Sequence, residues 1–330
     1  LHDRCQRIAG LAAHLAPACA ADPAQARLAG QLCKCDLLTS MVGEFPELQG
    51  IMGRYYALHD GHPEAVAAAL EEHYRPRFAG DALPATALGR ALAVAEKLDT
   101  LVGIFGIGQR PTGDRDPFAL RRAALGVLRI AIEGEVDLDL AEVLPFAVAA
   151  FGDRLSEGDT AEQVLQFLFD RLRGYYAEAG HAPDTFDAVL ALRPTRPLDF
   201  DHRLRAVAAF RALPEAASLA AANKRVRNII RQAENPPPAE LDPARLVEAA
   251  EQALAAAVAE HRDAVAPDLA GGRYSAALTR LAGLRPAVDR FFDEVMVMTE
   301  DAALRSNRLA LLEQMSALFM RVADLSRLQA

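Results

Sequence analysis

The sequence has 330 residues, 52% of them hydrophobic and 25% charged, with 36 Lys and Arg against 45 Asp and Glu. These proportions exclude wholesale disorder and fibrous or collagen-like character, and the length implies roughly two domains. The net charge of −9 argues against indiscriminate nucleic-acid binding. Local basic faces stay possible, because they act within a Debye length of about 8 Å.

The acidity is uneven. Residues 1–200 hold 19 basic against 28 acidic side chains, whereas residues 201–330 hold 17 of each. Only Lys34, Lys97 and Lys224 are lysines, so 33 of the 36 basic residues are Arg. Alanine richness points to genomic bias as the cause; Arg also suits forked phosphate contacts. No run approaches the roughly 18 apolar residues of a membrane span. The stretch Val143 to Phe151 is broken by Pro145. The chain starts at Leu1 with no signal-peptide pattern, so a cytoplasmic piece of a longer protein is expected. Cys5, Cys19, Cys33 and Cys35 match no zinc-finger spacing and read as reduced thiols.

In chain order the sequence reads as all-α. Asp22-Pro23, Asp116-Pro117 and Asp242-Pro243 each read as an N-cap followed by Pro at the first helical position. After Asp116, the residues Leu120, Ala124, Val127, Leu128 and Ala131 form one apolar face. Arg193 to Pro197 resists helix and marks a junction, and Asn235 to Pro238 is a stiff break. Helices are predicted over Phe200 to Leu213, Ala217 to Glu234, Asp242 to Val265 and Pro286 to Met298. Gly271-Gly272 ends one of them. In the last helix Leu304, Leu311, Met315, Leu318, Val322 and Leu325 build a single seam.

Arg4 on the first helix, Cys35-Asp36 on a later one and Glu96 further on give residues 1–100 a layout similar to that of an HD-type metal phosphohydrolase, with the ligand slots degraded. Arg4 takes the first His slot, Cys35-Asp36 the His-Asp pair and Glu96 the last acidic slot. An Arg beside so poor a ligand set repels a cation. A literal His59-Asp60 lies in a Gly-Pro turn; a metal site from His59, Asp60, His73 and Asp99 is the weaker reading. Gly103 to Gly108 reads as a phosphate-cradling loop or as a helix-ending turn. No P-loop, dinucleotide fingerprint or nucleophile elbow is present.

Basic faces carry more. Arg121, Arg122 and Arg129 share one side of a helix, with Arg110 and Arg115 just before. Lys224, Arg227 and Arg231 share another face, flanked by Arg225 and Asn228. Arg305 and Arg308 are three apart, with Asn307 between them. Val226, Ile229, Ile230 and Ala233 read as the buried face opposite. Arg with interspersed Asn can hold phosphates and read base edges; the alternative is a solvated helix face.

The strings Cys33 to Leu37, Glu44 to Gly53, Arg75 to Asp81, Lys97 to Phe105 and Asp116 to Gly126 are distinctive. With Arg193 to Pro197, Ala222 to Val226, and Asn307 to Leu309 running on to Ser326, they resemble the beta subunit of the bacterial heterotetrameric glycyl-tRNA synthetase. The resemblance implies a C-terminal half of beta with three parts. These are a degenerate HD-like helical domain over residues 1–150, connecting helices over 151–197, and a DALR-like anticodon-binding bundle over 198–330, similar to that of arginyl-tRNA synthetase. It implies glycine–tRNA ligase activity in an alpha2beta2 complex, with ATP and Mg2+ used on the alpha subunit and no cofactor, metal or catalytic residue here. The expected partners are tRNA(Gly) and the alpha subunit, with no DNA and no membrane. The expected tRNA contacts are Lys224, Arg225, Arg227, Asn228, Arg231, Arg305, Asn307 and Arg308, with Arg121 and Arg122 at a second place on the tRNA or at the subunit interface. The rival classes are an HD-type metal-dependent phosphohydrolase and a non-catalytic helical protein-interaction scaffold.

Overall fold

The computed structural model describes residues 1–112, 115–233, 238 and 240–329. Among these the chain is all-α, with an isolated extended bridge between Thr112 and Arg115 and no strand. No helix of the described residues is long and apolar enough to cross a membrane. The chain forms two compact units: Leu1–Tyr176 with Thr195–Leu198, and Ala177–Pro194 with Asp199–Ala330.

The first unit contains α1 (His2–Leu15), α2 (Pro23–Leu32), α3 (Ser40–Glu44), α4 (Ile51–His59), α5 (Glu64–Glu72), α6 (Ala87–Gly106), α7 (Leu120–Glu133), α8 (Leu140–Ala149) and most of α9 (Thr160–Glu178). Helix α6 is its axis. Leu92, Leu98, Leu101 and Val102 are fully enclosed, and α1, α2, α5, α7 and α8 pack around them. A helix apolar on nearly every side has to be central. Thr86 caps α6 by accepting from Gly89 N, and the Glu72 carboxylate receives the N–H groups of Ala85 and Thr86. Helices α1 and α2 meet so closely at Gly30 that a Cβ there would lie 2.4 Å from Ala9 Cα.

Charge is buried inside this unit. Lys97, on α6, gives its ammonium to the carbonyls of Arg75 at 2.8 Å and His73 at 3.2 Å. Burial lowers its pKa from 10.5 to about 8, against the opposing pull of Glu96.

The second unit holds α10 (Pro183–Leu190), α11 (Pro197–Arg211) from Asp199 onward, α12 (Ala216–Gln232), α13 (Ala249–Ala270), α14 (Tyr274–Leu281), α15 (Arg285–Glu294) and α16 (Ala302–Met320). Phe186, Phe200, Phe210, Phe291 and Phe319 are its largest enclosed side chains, the first two with ring centres 4.9 Å apart. The start of α16 is clamped to the start of α13. Glu251, fully buried, accepts from Val247 N at 2.7 Å and Glu248 N at 3.0 Å, and pairs with the Arg308 guanidinium. Arg308 also reaches Glu248 at 2.6 Å and the Met296 carbonyl at 2.7 Å. Asn307 brackets Asp242 from both sides, accepting its N–H at 2.8 Å and donating to its carbonyl at 3.1 Å.

Several expected boundaries move. Asp22 does cap α2, with Pro23 first in the helix. Asp116 instead receives the N–H groups of Leu120 and Arg121, so α7 begins three residues beyond Pro117. Asp242 caps only the 3-10 turn Pro243–Arg245, and α13 starts at Ala249 behind a Glu248/Glu251 capping box. The last helix ends at Met320; Val322 and Leu325 are buried from the turn that follows. Helix α15 stops at Glu294, short of Met298. At the junction, Thr195 O accepts from Leu140 N and Arg196 pairs with Asp137. The break at Asn235 to Pro237 lies outside the described residues.

Replacing one member of the enclosed pair, by Arg308→Met or Glu251→Gln, should lower unfolding free energy by about 3–5 kcal/mol. Replacing both with apolar residues of like volume should recover most of it, as read from urea unfolding of the two singles and the double. Lys97 makes a pH signature. Between about pH 8 and 10.5 the unfolded chain binds more protons at this residue than the folded one, so its contribution makes stability rise with pH. Below pH 8 the cost of burying the charge is fully present. The stability of the parent relative to Lys97→Met should therefore climb across that window, and a flat or falling difference in pH-series denaturation would contradict it.

Candidate nucleic-acid interface

In the second unit, α12, the C-terminal part of α16 and the 3-10 turn Leu325–Arg327 enclose a groove of about 690 Å³. Lys224, Arg227, Asn228 and Arg231 line it from α12, Met320 from α16, and Arg327 from the turn. The α12 residues meet because steps of three and four stack on one helix face.

Asp324 organises the groove mouth. Its side chain is only 3% exposed and holds Arg227 Nη2 and Arg327 Nε, each at 3.2 Å. Ser326 donates to its other oxygen through Oγ at 2.6 Å and N at 3.2 Å, and Asp324 N is anchored on the Ala188 carbonyl. Both arginines are half exposed and line the groove. Arg231 Nη2 donates to Asn228 Oδ1 at 3.1 Å. Lys224 is exposed and has no ion-pair partner among the described residues. Four cations thus face two carboxylates, Asp324 and Glu313, over a floor to which Ile230 and Met320 contribute. Such a surface can grip phosphates through guanidinium forks and offer apolar area to bases.

The other expected contacts fall elsewhere. Arg225 lies over the Phe292 ring at 4.3 Å, on the α15 side of α12. Arg305 is half-buried and donates to the Thr299 carbonyl at 2.7 Å. Asn307 and Arg308 are each 4% exposed, their polar atoms spent on Asp242, Glu248 and Glu251. Their place is structural because a partner-rich interior surrounds them. Ile229 and Ile230 are only half-buried; of the expected apolar face, Val226 alone is fully enclosed. Arg327 and Asp324 were not singled out by the sequence. The Asp-Leu-Ser-Arg string at 324–327, with its capping spacing, was the available signal.

In the first unit, Arg4 does face Glu96, with Nη2 at 2.6 Å from its carboxylate and 2.8 Å from Thr100 Oγ1. The position beside Glu96 is filled by Lys34, not Cys35: its Nζ lies 3.4 Å from Glu96, 2.9 Å from His73 Nε2 and 3.9 Å from the Tyr74 ring centre. His73 is fully enclosed, its pKa pushed well below the ordinary imidazole value by burial and by Lys34. Its Nδ1 therefore donates to the Leu70 carbonyl while Nε2 accepts from Lys34. Burial lowers the Lys34 pKa too, against Glu96. Asp36 serves a turn, accepting from Gly50 N at 2.6 Å, and Cys35 is exposed. Two protein cations around one carboxylate do not fit a divalent metal. The alternative set is not assembled either: His59 is 87% exposed and pairs with its neighbour Asp60, and Asp99 holds Arg7 at 2.7 Å. Among the described residues no group of three or more His, Cys, Asp or Glu is arranged around a metal position.

The glycine run at 103–108 is the last turn of α6 and the turn that ends it: Gly103 and Gly106 pack under Phe151 and Leu155, and Gly108 takes a positive φ of 74°. The basic cluster around α7 is dispersed. Arg110 pairs with Glu157 at 3.2 Å, and Arg129 with Glu133 at 2.7 Å and the Asp81 carbonyl at 3.0 Å. Arg121 is half-buried at the start of α7, while Arg122 is exposed and lines a separate cleft.

Comparison with known proteins adds the lineage. The family model described as glycyl-tRNA synthetase beta subunit matches residues 1–191, and that described as DALR anticodon binding domain matches residues 219–325, which contain most of the groove. The chain is 55% identical over 324 residues to the glycine–tRNA ligase beta subunit of Aeromonas hydrophila, covering 98% of this chain and 47% of that protein. It is 56% identical over 326 residues to that of Pseudomonas aeruginosa, covering 99% and 48%, and 53% identical over 329 residues to that of Sodalis glossinidius, covering 100% and 48%. The chain spans about half the length of the curated relatives it matches. With a family model matched over more than half of its residues, the chain belongs to the glycyl-tRNA synthetase beta subunit family.

Proposed function

We propose that this chain is the tRNA-recognition part of a glycine–tRNA ligase beta subunit, which binds and positions tRNA(Gly) while a partner alpha subunit performs glycylation with ATP and Mg2+ in the cytoplasm. In this reading residues 1–150 form an HD-like scaffold, 151–197 connect, and 198–330 hold the anticodon side. The observation that carries it is the basic groove of Lys224, Arg227, Asn228, Arg231 and Arg327, all but the last inside the segment matched by the anticodon-binding family model.

The role is positional. Arg227 and Arg327 are held in place by Asp324, so they meet a phosphate with little loss of side-chain freedom. Holding the anticodon side orients the acceptor terminus, and proximity accelerates transfer at the alpha subunit. Arg225 and Arg305 remain peripheral candidates, and Asn307 and Arg308 act by fixing α16 against α13. Arg121 and Arg122 are candidates for a second tRNA-binding place in the first unit. The phosphohydrolase reading is disfavoured by Arg4 and Lys34 at Glu96.

Binding of tRNA(Gly) by the intact ligase, measured across a salt series, tests this. Lys224→Ala/Arg227→Ala/Arg231→Ala should weaken binding and flatten the log–log salt slope by about 0.7 for each single-strand phosphate that is no longer neutralised. Arg290→Ala, at an exposed position on α15 outside the groove, should leave that slope unchanged. Affinity and slope indifferent to the triple change would refute the groove assignment.

A further inference from the structure

A cleft of about 700 Å³ opens within the first unit, a size suited to a small molecule. Five elements wall it: Arg4 from α1, Glu47 from the 3-10 turn Pro46–Leu48, Tyr74 and Arg77 from the segment after α5, Lys97 from α6, and Phe118 and Arg122 at the start of α7. Its charge is lopsided, with Arg4, Arg77, Lys97 and Arg122 against Glu47 and Glu96. Arg122 is exposed and has no ion-pair partner among the described residues. Arg77 is 59% exposed and commits Nε to Asp81 at 3.1 Å. Arg4 is 38% exposed and commits one terminal nitrogen to Glu96 and Thr100.

The carboxylate deep in the wall is already occupied. Glu96 is held by Arg4 and Lys34, and the ammonium of Lys97 sits behind the same surface. A partly enclosed wall with surplus positive charge favours an anion. Phe118, 43% exposed, adds an aromatic face at the rim.

The geometry points to this cleft as a binding site for a nucleotide phosphate, with Arg77 and Arg122 as the phosphate partners and Phe118 as a stacking face for the base. Guanidinium forks match phosphate oxygens, and a base stacks on an aromatic ring whatever its sequence. The site does not rest on the role given to the groove of the second unit. The same chemistry is offered by a free mononucleotide and by a phosphorylated end of an RNA, and the two are separable by experiment.

Titration calorimetry of the full chain with inorganic phosphate, adenosine, AMP and a short 5′-phosphorylated RNA makes the test. AMP should bind at least about tenfold more tightly than adenosine, and Arg77→Ala/Arg122→Ala should weaken AMP by about tenfold or more. Phe118→Ala should weaken AMP while sparing inorganic phosphate. Arg227→Ala/Arg231→Ala, in the other unit, should leave AMP unaffected. Arg122→Gln alone, at an exposed position, gives the same direction should the double variant fold poorly. In the Arg227→Ala/Arg231→Ala background, which removes phosphate contacts in the other unit, binding of the RNA without AMP that is abolished by adding the Arg77/Arg122 change would support the site and name an RNA end as the source. The idea fails if neither AMP nor the RNA binds in that background, or if binding there persists when Arg77→Ala/Arg122→Ala is added.

Discussion

The pairing of Glu251 with Arg308 is the constraint on which the second unit's surface depends. Glu251 has no exposure, so its charge must be matched where it sits, and it is matched by Arg308 and two backbone N–H groups. That arrangement fixes where α16 begins relative to α13. The other end of α16 then forms one wall of the basic groove, where Met320 lies beside Arg227. The groove is thus shaped by an arginine that takes no part in it.

Buried charge plays a different part in the first unit. Lys34, Lys97, Glu96 and His73 form an interior network with Arg4 at its edge; burial lowers the pKa values of both lysines and of His73, which stays neutral. The network occupies the region where the sequence resembles a metal-binding scaffold. A lysine ammonium held between His73 and Glu96 supplies a positive charge there. The surplus cations spill onto the cleft that Arg77 and Arg122 border.

Local features were legible in the sequence. Asp22-Pro23 is a cap because the cap and helix lie within four residues, and the α12 basic face follows from helical periodicity alone. What escaped needed distant partners. Arg308 looks like any surface arginine until Glu251, 57 residues away, is brought against it. Arg225 and Arg227 are two apart, and only packing decides that one meets Phe292 and the other Asp324. Asp242-Pro243 carries a valid capping signal, but a 3-10 turn consumed it before the helix began. The family resemblance, spread over many strings, survived all of these local errors.

The scarcity of lysine has a practical corollary. Of the three lysine side chains, two are enclosed, at 4% and 5% exposure, and the third, Lys224, stands open in the groove. An amine-reactive acylating reagent applied to these residues in their folded state therefore meets a single accessible side-chain amine. Chemical labelling becomes a reporter of whether the groove is occupied, and the extent of acylation tracks occupancy without any engineered tag.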